Sequence, residues 1–111
     1  MNPIPFSPEP SDAEVRSTRG PLILEFGTDW CGHCQAAQPL IAAALQQHPD
    51  IRHLRIEDGK GRPLGRAFRV KLWPTLVFLR DGQEIARVVR PRDRDEIEVA
   101  VERMSPSEKG G

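Results

Sequence analysis

Apolar positions along the chain fall into two periods. Leu22-Ile23-Leu24-Glu25-Phe26 and Thr75-Leu76-Val77-Phe78-Leu79 are nearly continuous apolar runs, as strands covered on both faces are. Ile51 to Ile56 and Glu84 to Val89 alternate, which predicts two further strands. Ala36, Ala37, Leu40, Ile41, Ala44 and Leu45 recur at helical spacing and predict a helix from about Cys31 to Gln47. It carries Pro39, expected to kink it, and stops at His48-Pro49-Asp50. Ile97, Ala100, Val101 and Met104 line one face of a last helix, from Asp93 to Met104. Asp93 caps that helix and Glu96 completes a capping box. Ser11-Asp12-Ala13-Glu14 is a second box, opening a short helix from Asp12 to about Thr18. Leu64 to Phe68 suits one more short helix, and Asp81-Gly82 is a hairpin turn.

The resulting order is strand, helix, strand, helix, hairpin, helix. Its first part implies a parallel crossover pair and its end an antiparallel pair. A central mixed β-sheet with helices on both faces, an α/β fold, satisfies both. Residues 1–19 read as a Pro-rich arm and short helix belonging to the domain, with an edge strand near Ile4 and Phe6. Residues 20–104 form the domain proper, and 105–111 a disordered tail.

Length and charge narrow the function classes. The 111 residues suffice for one domain. Sixteen basic residues balance sixteen acidic ones, which argues against a nucleic-acid partner bound through its phosphates. No segment is long and apolar enough for a membrane span. The first ten residues lack a signal peptide's positive leader and apolar core, so the cytoplasm is the expected compartment.

The chemistry concentrates in Trp30-Cys31-Gly32-His33-Cys34, which holds both cysteines. They fall at a strand-to-helix junction, where free N–H groups and the helix dipole stabilise a thiolate. Thiolates attack disulfides, so a dithiol here suits thiol–disulfide exchange.

In this light the chain resembles the thioredoxin superfamily over residues 20–104. The resemblance rests on the Trp-Cys-Gly-His-Cys stretch, Pro39 five residues after Cys34, Pro74-Thr75 opening a strand, and the Asp81-Gly82 hairpin before the last helix. The active-site stretch, with Glu25 in the preceding strand, is most similar to a protein disulfide isomerase domain. The resemblance implies a thioredoxin fold and a protein-disulfide oxidoreductase with a redox-active Cys31–Cys34 pair as its only redox group. It implies a monomer acting on protein disulfides and recycled by a reductase or thiol donor.

Roles follow residue by residue from the resemblance. Cys31 is the more exposed nucleophile, and Cys34 resolves the mixed disulfide. His33, when protonated, stabilises the Cys31 thiolate and makes the disulfide more oxidising. Glu25 lies beneath the dithiol and takes the proton from Cys34. Arg55 stands where the family often has a buried Lys, and can pair with Glu25 without shuttling a proton. Trp30 and Gly32 flank the nucleophile on the substrate side. Pro74 is expected to be cis and to expose the Trp73 backbone for pairing with an extended substrate. Trp73 adds apolar contact area. Arg90 stands where thioredoxins commonly have Gly. With Arg92 and Arg94 it narrows or recharges the groove.

The alternatives are a metal-binding module or a redox chaperone on the same fold. Zinc usually takes four ligands. The chain offers two cysteines and three histidines, of which His48 and His53 are expected near the far end of the helix. No metal site is therefore expected.

Overall fold

The computed structural model describes residues 4–104. Strands β1 (Pro21–Gly27), β2 (Arg52–Glu57), β3 (Thr75–Arg80) and β4 (Gln83–Val89) form one sheet in the order β2-β1-β3-β4. β1 and β2 run parallel, while β3 is antiparallel to both β1 and β4. Helix α2 (Gly32–Leu45) supplies the crossover that a parallel pair requires. Helices α1 (Asp12–Arg16), α3 (Pro63–Ala67) and α4 (Arg94–Met104) complete the domain. This is the expected mixed sheet. The expected tail, residues 105–111, lies outside the described residues.

β1 divides its side chains between two cores. Ile23, with Leu76 and Phe78, packs against Ile41 of α2 and Ile97 and Met104 of α4. Leu22, Leu24 and Phe26 pack on the opposite face with Val15 of α1, Leu64 of α3 and Phe68. The two-residue period of a strand puts Glu25 on the side of Ile23, under α2.

The connections explain themselves chemically. Asp81 and Gly82 both have positive φ (52° and 80°), as the tight hairpin turn between β3 and β4 demands. A Cβ at Gly82 would also collide with the Arg16 carbonyl. The α1 capping box closes in both directions between Ser11 and Glu14. The α4 box differs from expectation. The Asp93 carboxylate does accept from the Glu96 N–H (3.1 Å), but the Glu96 carboxylate accepts from Arg92 N–H (2.9 Å), one residue earlier.

The edge strand expected near Ile4 and Phe6 is reduced to a single parallel bridge between Phe6 and Arg55. Arg55 holds the arm in other ways too. Its Nη1 donates to the Ile4 carbonyl (2.7 Å), and its guanidinium lies 4.2 Å from the centre of the Phe6 ring. The Ser7 N–H donates to the Arg55 carbonyl (2.8 Å).

Candidate active site

Cys31 is the N-cap of α2, with extended backbone, and its Sγ accepts from the Cys34 N–H at 3.2 Å. Both sulfurs are free thiols, and Cys31 is the more exposed, 8% against 2% for Cys34. Gly27, the last residue of β1, makes room for the inner sulfur. A Cβ there would stand 2.6 Å from Cys34 Sγ. Burial pushes the Cys34 thiol up to about 12, and its hydrogen bond with Cys31 and the charges of Cys31 and Glu25 push the same way. A hydrogen bond with the Thr28 backbone opposes them. Gly32 and His33 occupy the exposed first turn of α2.

Beneath the dithiol, Glu25 is 2% exposed and fully engaged. Its Oε2 accepts from Gln38 Nε2 (2.6 Å), and the same amide reaches the Cys34 carbonyl at 3.4 Å. Its Oε1 meets His53 Nε2 at 2.9 Å. Arg55 Nε stands 3.3 Å from Oε2, close enough for charge attraction, although Nε itself makes no hydrogen bond among the described residues. Charge and hydrogen bonds together offset the cost of burying the carboxylate.

On the outer side, the Trp73–Pro74 peptide is cis. The exposed Trp30 ring meets the half-buried Trp73 ring edge-on, centroids 5.7 Å apart. Trp73 Nε1 donates to Asp58 Oδ2 (2.8 Å), which fixes the ring. A Cβ at Gly65 would strike that Asp58 carboxylate, so a glycine there leaves it room.

Arg90 reaches the backbone expected to meet substrate: its Nε donates to the Trp73 carbonyl at 2.8 Å. The Arg90 N–H donates in turn to the Pro74 carbonyl (2.9 Å). Arg90 has φ +50°, the left-handed region where Gly costs least, which accounts for the Gly expected there in relatives. His33, Arg90 and Arg92 line one surface depression with Ala36 and Leu40. Arg94, the first residue of α4, is not part of that lining.

Among the described residues, no three His, Cys, Asp or Glu side chains converge as a ligand set. His48 lies beyond the C-terminal end of α2, as expected, and pairs with Glu98 (3.0 Å). His53 sits on β2 against Glu25, and it lines a cavity with Leu45, Gln46 and His48 at the far end of α2.

Gln38, Gly27 and Asp58 escaped the sequence reading, and His53 was weighed there only as a metal ligand. Two of them carried a signal. Gln38 stands four residues after Cys34 and so shares its helix face. His53 stands two residues before Arg55 and so shares its side of the strand.

Comparison with known proteins agrees with this geometry. The thioredoxin family model matches residues 3–103. Thioredoxin H2-1 of Oryza sativa is 28% identical over 86% of this chain and 68% of its own length. The thioredoxin of Chlamydia trachomatis is 30% identical over 70% of this chain and 76% of its own. The structure of reduced thioredoxin 2 from Pseudomonas aeruginosa superposes with TM-score 0.80 at 57% identity, covering 89% of this chain and 93% of that one. The chain belongs to the thioredoxin family and is a thiol–disulfide oxidoreductase.

Proposed function

We propose that Cys31 attacks disulfides in partner proteins and that Cys34 resolves the mixed disulfide. The asymmetry between the two sulfurs carries this reading. Cys31 caps a helix, accepts an N–H hydrogen bond and is the more exposed, whereas Cys34 is a buried thiol held protonated at neutral pH.

In the reducing direction the Cys31 thiolate attacks one substrate sulfur and expels the other as a thiolate. Cys34 then attacks Cys31 Sγ, forming the Cys31–Cys34 disulfide and releasing the second substrate thiolate. Two electrons pass to the substrate. A thiol raised this far cannot attack until a base takes its proton, and Glu25, whose charge reaches Cys34, is that base. His33 on the exposed turn tunes the outer thiolate.

The surface around the dithiol favours proteins as substrates. Trp30, Leu72 and Val89 are exposed large apolar residues, and each directly precedes a site residue: Cys31, Trp73 or Arg90. Such a rim fits a protein surface better than a small thiol. Gly32 lets that surface come close, since a Cβ there would meet nothing. A reductase or thiol donor returns the pair to the dithiol. A transient disulfide of this kind suits a reducing compartment such as the cytoplasm.

The test is covalent trapping. Cys34→Ser should accumulate mixed disulfides with protein substrates, and Cys31→Ser should form none. Trapping by the Cys31→Ser protein alone would reverse the assignment.

A further inference from the structure

We propose that His53 carries the proton between Glu25 and solvent. The inference rests on the reading of Glu25 as the base for Cys34. A base buried to this depth must lose its proton again before the next cycle. Its surroundings offer few ways out. From α2 it faces the Cys34 thiol and the Gln38 amide; from β2 it faces Arg55 and His53; its neighbour on β3 is the apolar Leu76.

Of these, the amide does not titrate, and a guanidinium keeps its proton. Imidazole accepts and releases protons near neutral pH. Exposure points the same way. The Glu25 side chain is 2% exposed and that of Arg55 8%, but that of His53 is 17% exposed. His53 and Gln38 also line a cavity of about 220 Å³ between β2 and the C-terminal half of α2, walled by Ile41, Leu45 and Ile51. His48, which lines the same cavity, is held by Glu98 of α4. His53 therefore joins a sealed carboxylate to an accessible space.

The protons balance in each step. Cys34 gives its proton to Glu25 as it attacks Cys31. In the His53 tautomer that carries its hydrogen on Nδ1, Glu25 passes the proton from Oε1 to the Nε2 lone pair. His53 then releases its Nδ1 proton to water, which leaves a neutral ring donating Nε2–H to the ionised Oε1, and exchange of the ring protons with solvent restores the accepting tautomer for the next cycle. In the oxidising direction the same steps run backwards. A protonated His53 cannot accept. His53 is a positioning residue, since it acts through Glu25 and touches neither sulfur.

The experiment isolates the resolving step. Cys31 is loaded with a chromogenic aromatic thiol as a mixed disulfide, and release of that thiolate is followed from about pH 6 to about pH 9. Glu25→Gln should slow release by about 10²-fold. His53→Gln keeps an N–H toward Glu25 but carries no exchangeable site for the relay. It should slow release about tenfold, change its pH profile, and recover as free imidazole is added. His48→Gln should behave as wild type. His53→Asn replaces the glutamine variant if the latter does not fold.

A wild-type rate in Glu25→Gln would overturn the base reading and the relay with it. A slow Glu25→Gln beside a His53→Gln with wild-type rate and pH profile would overturn the relay alone. A slow His53→Gln that imidazole does not restore would also overturn it, leaving His53 a purely structural partner of Glu25.

Discussion

The two sulfurs of one dithiol face opposite environments. Cys31 is the more exposed sulfur, and its chain neighbours Trp30, Gly32 and His33 are all exposed. Cys34 looks inward onto Gly27, Thr28 and the Glu25 network, all of it protected. Hydrogen bonds and charges are worth more where water is excluded. The inner side should therefore govern protonation, with large effects that salt does not screen. The outer side should govern which partners arrive, with smaller effects that salt does screen.

The largest effect belongs to the inner side. The unperturbed thiol value is 9.0, and the fold raises Cys34 to about 12. A raised value means that the folded state keeps its proton where the unfolded chain has lost it. The contribution of Cys34 to stability is then fully present below about pH 9 and is lost as pH rises toward 12. The slope is up to about 1.4 kcal/mol per pH unit within that window. Denaturant unfolding of the reduced protein across it should show this loss, and reduced Cys34→Ser should lack it. Parallel curves for the two proteins would mean that the inner sulfur is no more protected than the outer.

The contrast between the two sides also explains what the sequence disclosed. The fold was legible because hydrophobic period and turn chemistry are local: the apolar β1 and β3 runs, the Ser11 box and the Asp81-Gly82 turn each decide their own element. Cys31, Cys34 and Glu25 were legible as candidates because the end of β1, the junction and the first turn of α2 follow one another in the chain. Gln38 and His53 meet Glu25 only because α2 crosses over β1 and β2 pairs beside it. The hold of Arg90 on the Trp73 carbonyl was hidden for the same reason, since 17 residues separate them in the chain. Arg55 was read as a partner for Glu25, but its hydrogen bond to Ile4 and its stacking on Phe6 show that it also holds down the arm.

An intermediate effect is expected at His33, where the outer side reaches the chemistry itself. His33 sits on the exposed first turn of α2, so a charge placed there would reach Cys31 only through partly screened surroundings. We expect a reduction potential between the ~−270 mV of thioredoxin and the ~−180 mV of protein disulfide isomerase. His33→Pro should lower it by roughly 30 mV, a tenfold change in the exchange equilibrium. Equilibration with glutathione measures this directly. An unchanged potential would confine His33 to surface packing and leave the tuning to the inner network.

The smallest effect is expected at Arg90, and it is the sharpest probe of the outer side. Arg90 spends its Nε on the Trp73 carbonyl, and no acidic side chain pairs with it among the described residues. Its positive charge therefore faces the depression it shares with His33 and Arg92. Disulfide peptides with acidic flanks should react faster than basic ones at low ionic strength, by at most about tenfold, and the gap should close as salt is added. Two variants separate the charge of Arg90 from its hydrogen bond. Arg90→Lys keeps the charge and loses the Nε contact, so it should keep the preference for acidic peptides. Arg90→Gly loses both, relieves the left-handed backbone and frees the Trp73 carbonyl. It should narrow the gap between the peptides while raising the rate with extended substrates of either charge. Second-order rate constants for both peptides at two salt concentrations decide the matter. Equal rates for the acidic and basic peptides at low salt would show that the outer arginines are solvated and do not select partners.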